Sequence, residues 1–556
     1  GGISIYSTQD PDIQKICDEV TSNEENYPEG TKYYLKYKMT VEKASGETEN
    51  HSAEMFRTYF RASNAGFNDL FSSHDDAYAA IEEYKNAVMS EGDIVLAEDI
   101  NITPQPQISL TIANQSTGEV VALVGGRGAK TASRTLNRAT SSARQPGSTF
   151  KVVSTYAPAL DSAGQTLATV YNDAPFNYAS GTPVRNWYSS GYRGINSLRD
   201  GIRDSLNIIT VKCLTVMGPQ LGYDYLLDFG FTTLVDRMEI NGQIYSDIQQ
   251  SLALGGITKG VTNLELNAAY ATIANQGTYI KPKLYTKVVD REGNVILDNT
   301  VGETRQVLKP TTAYLLTSAM KDVVTGGTGG KVNFGNMAIA GKTGTTTDYN
   351  DVWFAGYTPY YTATTWAGFD NNAKLKTSSE KDLAKTIWRK AMEEIHKNLE
   401  YQDFPMPGGL VTATVCSRSG KLPIAGLCDH TLKSELFEEG TVPTEYCNVH
   451  YAGAVCAYSM RPACDTCPFR TEGVFELALP EDPALASGSS TLTSTTVTTT
   501  ETLNEDGTTS LTYVPCPHNA IFMADPSAPA VIEAQRAEID ARNALAAAAL
   551  AATAGQ

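Results

Sequence analysis

The sequence predicts an α+β fold in which helices flank an antiparallel sheet, with a small mixed region before it and a cysteine-rich extension after it. Strand-like runs occur at two distant places, near 108–124 and 337–370, with helical periodicity between them. Most of the cysteines lie after residue 415. The predicted regions are an N-terminal linker or pedestal (1–105), the sheet-and-helix domain (106–400), the cysteine-rich extension (401–483), and a Ser/Thr-rich flexible linker with an alanine-rich tail (484–556).

The first region, residues 1–105, is predicted to be mixed α/β. "DPDIQKICDEV" predicts a short helix capped by aspartate, and "DDAYAAIEEYKNAVMS" predicts a longer one. "KYYLKYKMTVEK" alternates like a strand. "ISLTIANQSTGEVVALVGG" has two β-rich runs around a polar turn, which predicts a hairpin.

The second region is mostly helical until its last third. There, aromatic and β-branched residues interrupted by glycine and "DYND" predict a meander of two or three antiparallel strands in "NMAIAGKTGTTTDYNDVWFAGYTPYYTATTWAGFD". "KDLAKTIWRKAMEEIHKN" predicts a closing helix. The earlier helical runs are "STFKVVSTYAPALDSA", "SLRDGIRDSLNIITVKCLTVMG", "LELNAAYATIANQG" and "TAYLLTSAMKDVVTGG".

Charge and hydropathy exclude several functions. The net charge of -18 argues against nucleic-acid binding and against adhesion to anionic lipid by charge. No apolar run reaches the roughly 18 to 20 residues that span a bilayer, and no signal peptide is visible. The chain opens abruptly on "GGISIYSTQDP". We therefore expect it to be part of a longer protein.

The C-terminal cysteines admit two interpretations. In an exported protein, disulfides are the default. Cys464-x-x-Cys467 and Cys447-x-x-His450 also have the spacing of zinc ligands. Disulfides or free thiols are favoured because the flanking sequence has no zinc-ribbon pattern, and no metal is predicted. The tract "SGSSTLTSTTVTTTETLNEDGTTS" is predicted to be a flexible linker, and "AVIEAQRAEIDARNALAAAALAA" a lone helix.

Three Ser-x-x-Lys pairs could place a hydroxyl one helical turn from an amine. Ser148 and Lys151 follow a proline-glycine pair at the predicted start of a helix. Ser318 and Lys321 lie inside an amphipathic run, which predicts that the serine is a tolerated residue in the middle of a helix rather than a catalytic one. The third pair, Ser378 and Lys381, lies in a polar stretch that reads as a solvated turn. Spacing alone does not choose among them.

Two further motifs select the first pair. Ser205-Leu206-Asn207 and Lys342-Thr343-Gly344-Thr345 follow Ser148 in chain order. Each is weak alone, since the first could be a helix cap and the second a strand end. In this order the three motifs define a serine acyl-transfer site.

These motifs and their surroundings resemble the transpeptidase part of a class A penicillin-binding protein. The likeness extends to "RATSSARQPGSTFKVV", "SLALGGITKGVTNLELNAAYATIANQGTYIKP", "AGKTGTTTDYNDVWFAGYTP" and "GGISIYSTQDPDIQ". It covers roughly residues 1–20 and 100–400, and it implies the fold shared by penicillin-binding proteins and serine β-lactamases. The family's glycosyltransferase domain and membrane anchor are not in this chain, so we expect no glycan polymerisation from it.

The resemblance assigns roles to the motif residues. Ser148 is the nucleophile, and Lys151 is the base, made neutral by burial and by a second cation, Lys342. Ser205 relays the proton to the leaving amine, and Asn207 binds the amide of the substrate. The terminal carboxylate is held by Thr343 and Thr345, while Gly344 lets the substrate backbone approach. The implied oxyanion hole is the backbone N–H of Ser148 and of Thr345. No cofactor is required.

The implied reaction is peptidoglycan D,D-transpeptidation on D-Ala-D-Ala stem peptides, with β-lactams as covalent inhibitors. A β-lactamase or D,D-carboxypeptidase would use the same site and pass the acyl group to water. A non-catalytic β-lactam sensor or wall-binding scaffold is the more distant alternative. The substrate implies the extracytoplasmic face of a bacterial membrane, with attachment only through the anchor that this chain lacks. Cell-division or elongation machinery is the expected protein partner, and nucleic acid is not.

Overall fold

The computed structural model describes residues 2–189, 191–476, 500–503, 509–512 and 515–554. The chain divides into two compact units, one of Gly1–Thr166 with Leu198–Leu410 and one of Leu167–Ser197 with Val411–Gln556. Leu167–Ser197 joins the C-terminal unit because Ala168 lies in one apolar cluster with Val415 and Phe437.

Helices account for much of the first unit, and one long helix ends the second. The helices of the described residues are α1 (Pro11–Ser22), α2 (Ala53–Ser63), α3 (His74–Val88), α4 (Arg138–Ser141), α5 (Ala157–Asp161), α6 (Leu198–Arg203), α7 (Asn207–Met217), α8 (Pro219–Asp228), α9 (Asn263–Ala274), α10 (Pro310–Gly326), α11 (Ser378–His396), α12 (Ala520–Met523) and α13 (Ala528–Ala554).

The strands are β1 (Ile3–Ser7), β2 (Lys32–Glu42), β3 (Thr48–His51), β4 (Leu70–Phe71), β5 (Ile94–Gln105), β6 (Gln107–Asn114), β7 (Glu119–Val124), β8 (Val170–Asp173), β9 (Gly194–Ser197), β10 (Met238–Ile240), β11 (Gln243–Tyr245), β12 (Thr278–Ile280), β13 (Tyr285–Asp290), β14 (Val295–Asp298), β15 (Thr304–Gln306), β16 (Ala340–Thr345), β17 (Asp351–Tyr357), β18 (Thr362–Gly368), β19 (Leu410–Cys416), β20 (Leu432–Glu438), β21 (His450–Cys456), β22 (Arg470–Glu476), β23 (Thr500–Leu503) and β24 (Thr509–Thr512). Apart from the pair β19-β20, each strand pair of the described residues is antiparallel.

The central sheet of the first unit has the order β16-β17-β18-β6-β7. Successive side chains on a strand point to opposite faces. One face carries Ile108, Leu110 and Ile112, which share a buried core with Ile387 and Trp388 of α11. The predicted hairpin and meander are both confirmed, and β18 joins them into one sheet through its pairing with β6.

The opposite face of that sheet meets α9 through buried amides. The Asn263 side chain donates hydrogen bonds to the carbonyls of Ser109 and Thr364, and Asn267 donates to those of Thr111 and Thr362. Helices therefore cover both faces, which makes three layers. The predicted α+β class, with an antiparallel sheet flanked by helices, is confirmed.

The N-terminal region forms its own small sheet, β3-β2-β4, with β5 also paired to β2. Its predicted helices and strand are confirmed as α1, α3 and β2. The Asp10 carboxylate accepts hydrogen bonds from the first-turn amides of α1, as the capping pattern predicts. Aromatic side chains of Tyr37, Phe56 and Tyr84 pack edge to face against one another in the core of this region.

Two predicted helices are wrong in detail, and both breaks lie next to motif residues. The run after Pro146 begins as a 3₁₀ turn at Gly147–Thr149, continues as a π-helical turn at Lys151–Tyr156 and becomes α-helical only in α5. The run from residue 198 is interrupted between α6 and α7. Ser205 lies in that break with φ 55°, a left-handed conformation that ends a right-handed helix.

The described residues of the second unit form paired strands, the short helix α12 and the long helix α13. Its strand pairs are β8-β9, β19-β20, β21-β22 and β23-β24. The predicted flexible linker falls largely on 484–499 and 504–508, which lie outside the described residues. The prediction of a lone C-terminal helix is wrong, since Ile532 and Ile539 of α13 pack against the cluster around Cys456. No helix among the described residues is long and apolar enough to cross a membrane.

Candidate active site

Ser148 lies at the centre of a tightly held turn. Gly147 precedes it with φ +54°, a conformation that favours glycine. A Cβ on Gly147 would lie 2.6 Å from the Thr345 carbonyl oxygen at the end of β16. Only a glycine allows this approach of the Ser148 turn to Thr345, and the Ser148 side chain stays half-buried.

Side chains from the surrounding elements fix the backbone on both sides of Ser148. The indole Nε1 of Trp353 donates to the Gln145 carbonyl at 2.9 Å. The hydroxyl of Tyr270, from α9, donates to the Thr149 carbonyl at 2.7 Å. Both aromatic rings are buried. The position of Ser148 therefore depends on the central sheet and on the helix packed against it.

Lys151 makes its contacts with the second motif. Its side chain is fully buried. Its Nζ lies 2.8 Å from the Ser205 carbonyl, 3.0 Å from Ser205 Oγ and 2.5 Å from Asn207 Oδ1. The left-handed backbone of Ser205 turns both of its oxygens toward this amine. Asn207, the first residue of α7, thus meets Lys151 through its Oδ1.

Lys342 reaches the same serine from the sheet. It is fully buried in β16, and its Nζ lies 2.9 Å from Ser205 Oγ and 3.1 Å from the Thr343 carbonyl. The Thr343 hydroxyl is 2.9 Å from that of Thr328. Ser205 Oγ therefore lies between two buried amines, one from each flanking motif.

Burial in this arrangement changes the ionisation of both lysines. Loss of hydration lowers the pKa of Lys151 well below its usual range, and the nearby charge of Lys342 lowers it further. Burial alone lowers the pKa of Lys342 to about 7. A neutral amine is therefore accessible at neutral pH, although a free lysine has a pKa of about 10.4.

The last three motif residues line the exposed end of β16. Thr343 is half-buried and Thr345 is exposed. A Cβ on Gly344 would lie 2.7 Å from the Thr149 side chain and 2.8 Å from the Pro146 carbonyl oxygen. The space beside Gly344 is thus filled by the Ser148 turn, and its glycine serves protein packing as well as any substrate approach.

The other two Ser-x-x-Lys pairs have structural partners of their own. Ser318 Oγ accepts a hydrogen bond from Arg199, and Lys321 forms an ion pair with Asp403. Ser378 is the first residue of α11, although a solvated turn was predicted there. Thr377 and Glu380 form a capping box that starts this helix. Neither pair has the buried lysine that distinguishes Lys151.

Sequence reasoning missed the supporting residues Gly255, Tyr270 and Thr328. A Cβ on Gly255, which has φ +74°, would lie 2.5 Å from the Gly147 carbonyl oxygen. The "GG" of "SLALGGITKG" is the only local signal for that contact. Tyr270 and Thr328 carry no motif, because their importance depends on what the fold places beside them.

Comparisons with known proteins identify families and relatives of this chain. A model of the penicillin binding protein transpeptidase domain matches residues 108–393, and one of the penicillin-binding protein 1A C-terminal domain matches 406–452. Penicillin-binding protein 1A of Clostridium tetani is 37% identical over 387 residues, which are 67% of this chain and 48% of that protein. Penicillin-binding protein 4 of Bacillus subtilis is 28% identical over 386 residues, 68% of this chain and 59% of that protein.

Solved structures share the fold. The crystal structure of penicillin-binding protein 1A from Haemophilus influenzae has a TM-score of 0.56 at 22% identity, covering 80% of this chain and 73% of that one. PonA1 of Mycobacterium tuberculosis in complex with penicillin V has a TM-score of 0.51 at 20% identity, covering 73% and 89%.

The matched domain spans more than half of the chain and contains Ser148, Ser205 and Lys342 in order. The chain spans about half the length of the curated clostridial relative. Its relatives named penicillin-binding protein 1A, together with the matching C-terminal segment, are consistent with the transpeptidase region of a class A protein. The chain belongs to the penicillin-binding protein transpeptidase family.

Proposed function

We propose that this chain is a peptidoglycan D,D-transpeptidase that cross-links stem peptides through an acyl-enzyme on Ser148 and is inhibited by β-lactams. One observation carries the proposal. Two fully buried lysines contact the same hydroxyl: the Nζ of Lys151 lies 3.0 Å from Ser205 Oγ, and the Nζ of Lys342 lies 2.9 Å from it. Lys151 is also only three residues after Ser148 in the sequence. Burying two amines is costly unless at least one is neutral, and a neutral amine is a base.

The hydrogen-bonding capacities set the direction of proton flow. A neutral amine has two N–H bonds and one lone pair. The Ser205 carbonyl and Asn207 Oδ1 can only accept, so they take the two N–H bonds of Lys151. The lone pair of Lys151 is then free to take the Ser148 proton, and the third N–H so formed can donate to Ser205 Oγ at 3.0 Å. Lys342 also donates to Ser205 Oγ, so the Ser205 hydroxyl can pass its own proton to the leaving amine.

In the proposed reaction Lys151 takes the Ser148 proton as Oγ attacks the carbonyl of the penultimate D-Ala. The C–N bond breaks, and the leaving amine receives its proton through Ser205. An acceptor amine then attacks the ester, Ser148 regains its proton, and a new amide forms. The close approach of Gly147 to Thr345 supports the backbone N–H groups of Ser148 and Thr345 as the oxyanion hole.

The substrate's terminal carboxylate would lie along Thr343 and Thr345, next to the charge of Lys342. Thr328 holds the Thr343 hydroxyl in place from the other side. The wall peptide lies outside the membrane, so we propose the extracytoplasmic face as the location. Cell-division or elongation proteins are the proposed protein partners.

Intact-protein mass spectrometry after incubation with benzylpenicillin tests the assignment of Ser148. We expect an adduct that maps to the peptide bearing Ser148 and is absent from Ser148→Ala, because the other serine of the arrangement, Ser205, is buried between the two lysines. Ser318→Ala is the matched control and should acylate normally. An adduct on Ser148→Ala, or none on the unaltered chain, would contradict the proposal.

The fate of the adduct separates the enzyme classes that share the site. Slow loss of the adduct is expected of a transpeptidase, which protects the ester from water. Rapid turnover of the drug would identify a β-lactamase. Release of D-Ala from a stem peptide without transfer to an added amine would identify a carboxypeptidase.

The acylation rate should depend on pH through both lysines. Below the lowered pKa of Lys151 the base takes up a proton, so the rate falls in acid. Above about 7 Lys342 loses the charge that attracts the β-lactam carboxylate, so the rate falls again. We expect a bell-shaped profile of the second-order rate constant for benzylpenicillin. A rate that climbs steadily to about pH 10, the range of an ordinary lysine, would contradict this assignment.

A further inference from the structure

Four side chains of the second unit converge on one buried point. Cys416, Cys428, Cys447 and His450 are all buried, and their ligand atoms lie within 4.8 Å of one another. The His450 Nδ1 is 3.5, 3.4 and 3.3 Å from the three sulfurs in that order. The sulfurs of Cys416 and Cys447 are 3.7 Å apart.

These distances fit a shared metal and exclude a disulfide. A disulfide brings two sulfurs to about 2.0 Å, and none of the nine cysteines, all of which lie among the described residues, forms one. In a tetrahedral zinc site, Zn–S bonds of about 2.3 Å and Zn–N bonds of about 2.0 Å separate two sulfurs by roughly 3.8 Å and a sulfur from a nitrogen by roughly 3.5 Å. The observed separations match the tetrahedral values.

A second cluster repeats the first. Cys456, Cys467, Cys516 and His518 also place their ligand atoms within 4.8 Å of one another. The His518 Nδ1 lies 3.5 Å from the sulfur of Cys456 and 3.9 Å from that of Cys467.

The backbone shows that the two clusters are copies of one module. Cys416 and Cys456 each end a strand. In both, the cysteine carbonyl accepts a hydrogen bond from the backbone N–H four residues further along the chain. The cysteine N–H in turn donates to the carbonyl five residues further along. The carbonyl six residues later accepts from Cys447 in the first copy and from Cys516 in the second. The same ligand arrangement therefore occurs twice on the same backbone hydrogen-bond pattern, which a chance clustering of cysteines would not produce.

The surroundings complete both clusters in the way metal sites require. The outer nitrogen of each imidazole has an oxygen partner, with His450 Nε2 3.5 Å from a Glu476 carboxylate oxygen and His518 Nε2 2.8 Å from the Gln535 amide oxygen. These partners fix the rings with Nδ1 toward the sulfurs. Backbone amides also donate to sulfur, as that of Val449 does to Cys447 at 3.4 Å and that of Cys464 to Cys516 at 3.4 Å.

We propose that the second unit binds two Zn²⁺ ions, one in each Cys₃His cluster, and that both are structural. Each ion would replace three thiol protons and gain four protein ligands, which leaves no position for water or substrate. The apolar cluster that contains these cysteines adds only Val449, Ile424 and Leu427, so the metal would supply the cross-link that a small module needs. This proposal replaces the prediction of disulfides or free thiols without metal.

Cys464 lies outside the proposed ligand set, despite the Cys-x-x-Cys spacing that it forms with Cys467. Its thiol donates to the His518 carbonyl at 2.8 Å. Counted from the first cysteine of each copy, Cys464 occupies the position of Ile424, which is no ligand. Its amide matches that of Ile424 in donating to a cluster sulfur.

The test is the metal content of the full 556-residue chain, purified without chelators and measured by inductively coupled plasma mass spectrometry. We expect two zinc ions per chain. His450→Ala and Cys516→Ser should each remove one, and the double variant both. The matched controls His430→Ala, at an exposed histidine near the first cluster, and Cys464→Ala should retain two.

A conservative variant separates lost ligation from failed folding. His450→Cys offers four thiolates, a set that structural zinc sites also use, so it should retain two ions. Cobalt added to metal-free protein should give the intense visible bands of tetrahedral thiolate coordination, halved in each single variant. Less than one zinc per chain, or disulfides found by alkylating denatured and unreduced protein, would overturn the proposal. Benzylpenicillin labelling of Ser148 tests the enzyme separately.

Discussion

Replacing Lys151 by methionine should slow acylation of Ser148 by benzylpenicillin by about 10²- to 10⁴-fold, the usual contribution of a general base. Methionine is unbranched and of similar length, so it can fill the buried space of the lysine stem. It has no lone pair with the basicity needed to take the Ser148 proton. The change also leaves the Ser205 carbonyl and Asn207 Oδ1 without the N–H donors they now have from Lys151.

Stopped-flow or gel-based labelling with a fluorescent penicillin measures that rate, and thermal unfolding monitors the fold. Lys321→Met is the matched control, since Lys321 belongs to another Ser-x-x-Lys pair and contacts Asp403. It should label at the unaltered rate. If Lys151→Met labelled as fast as the control while remaining folded, Lys151 would not be the base.

Gly147→Ala should reduce acylation by about 10²-fold or more and destabilise the domain. The new methyl group would lie 2.6 Å from the Thr345 carbonyl oxygen, inside van der Waals contact with backbone that cannot rotate away. The turn must then move from β16. A shift of about 1 Å in a reacting group is enough for a loss of this size. The left-handed φ of +54° adds about 1 to 2 kcal/mol of strain for alanine.

Gly164→Ala separates the two contributions. Gly164 has φ +73°, but no atom lies within 4 Å of the position of its Cβ. That variant should lose about 1 to 2 kcal/mol of stability from strain alone and acylate normally. Equal acylation rates for Gly147→Ala and Gly164→Ala would show that the contact with Thr345 does not position Ser148.

Local patterns were sufficient where a segment's partners lie nearby in sequence. The helix α1 follows from its aspartate cap, the hairpin of β6 and β7 from its polar turn, and the meander of β16, β17 and β18 from glycines between β-branched runs. In each case the hydrogen bonds close within a few residues. Periodicity alone therefore identifies the element.

Local sequence patterns could not predict the irregular backbone at the site. A regular helix was predicted through Ser205, yet this residue adopts φ 55° because Lys151 and Lys342 converge on it from elements far apart in sequence. The π-helical turn at Lys151–Tyr156 has no local signal either. Both departures from helical geometry lie at the proposed catalytic groups, where tertiary contacts outweigh helix propensity.

The cysteines show the same limit. Their spacing allowed disulfides or zinc, and the absence of a familiar ribbon pattern favoured disulfides or free thiols. The ligand sets combine residues up to 62 positions apart, as in Cys456 and His518, and only the fold brings them together. The repeat of the module was also hidden, because its two copies share backbone hydrogen bonds more than they share residues.

The sequence by itself determined the family and the proposed nucleophile, because three short motifs in this order are the signature of one class of serine acyl-transfer proteins. It also determined the flanked antiparallel sheet, since hydrophobic periodicity is a local property. The tertiary structure decided which Ser-x-x-Lys pair has a buried lysine, how the Ser148 turn approaches Thr345, and which cysteines and histidines meet. Burial, pKa and metal geometry depend on distances between remote segments, and those distances are fixed only when the chain is folded.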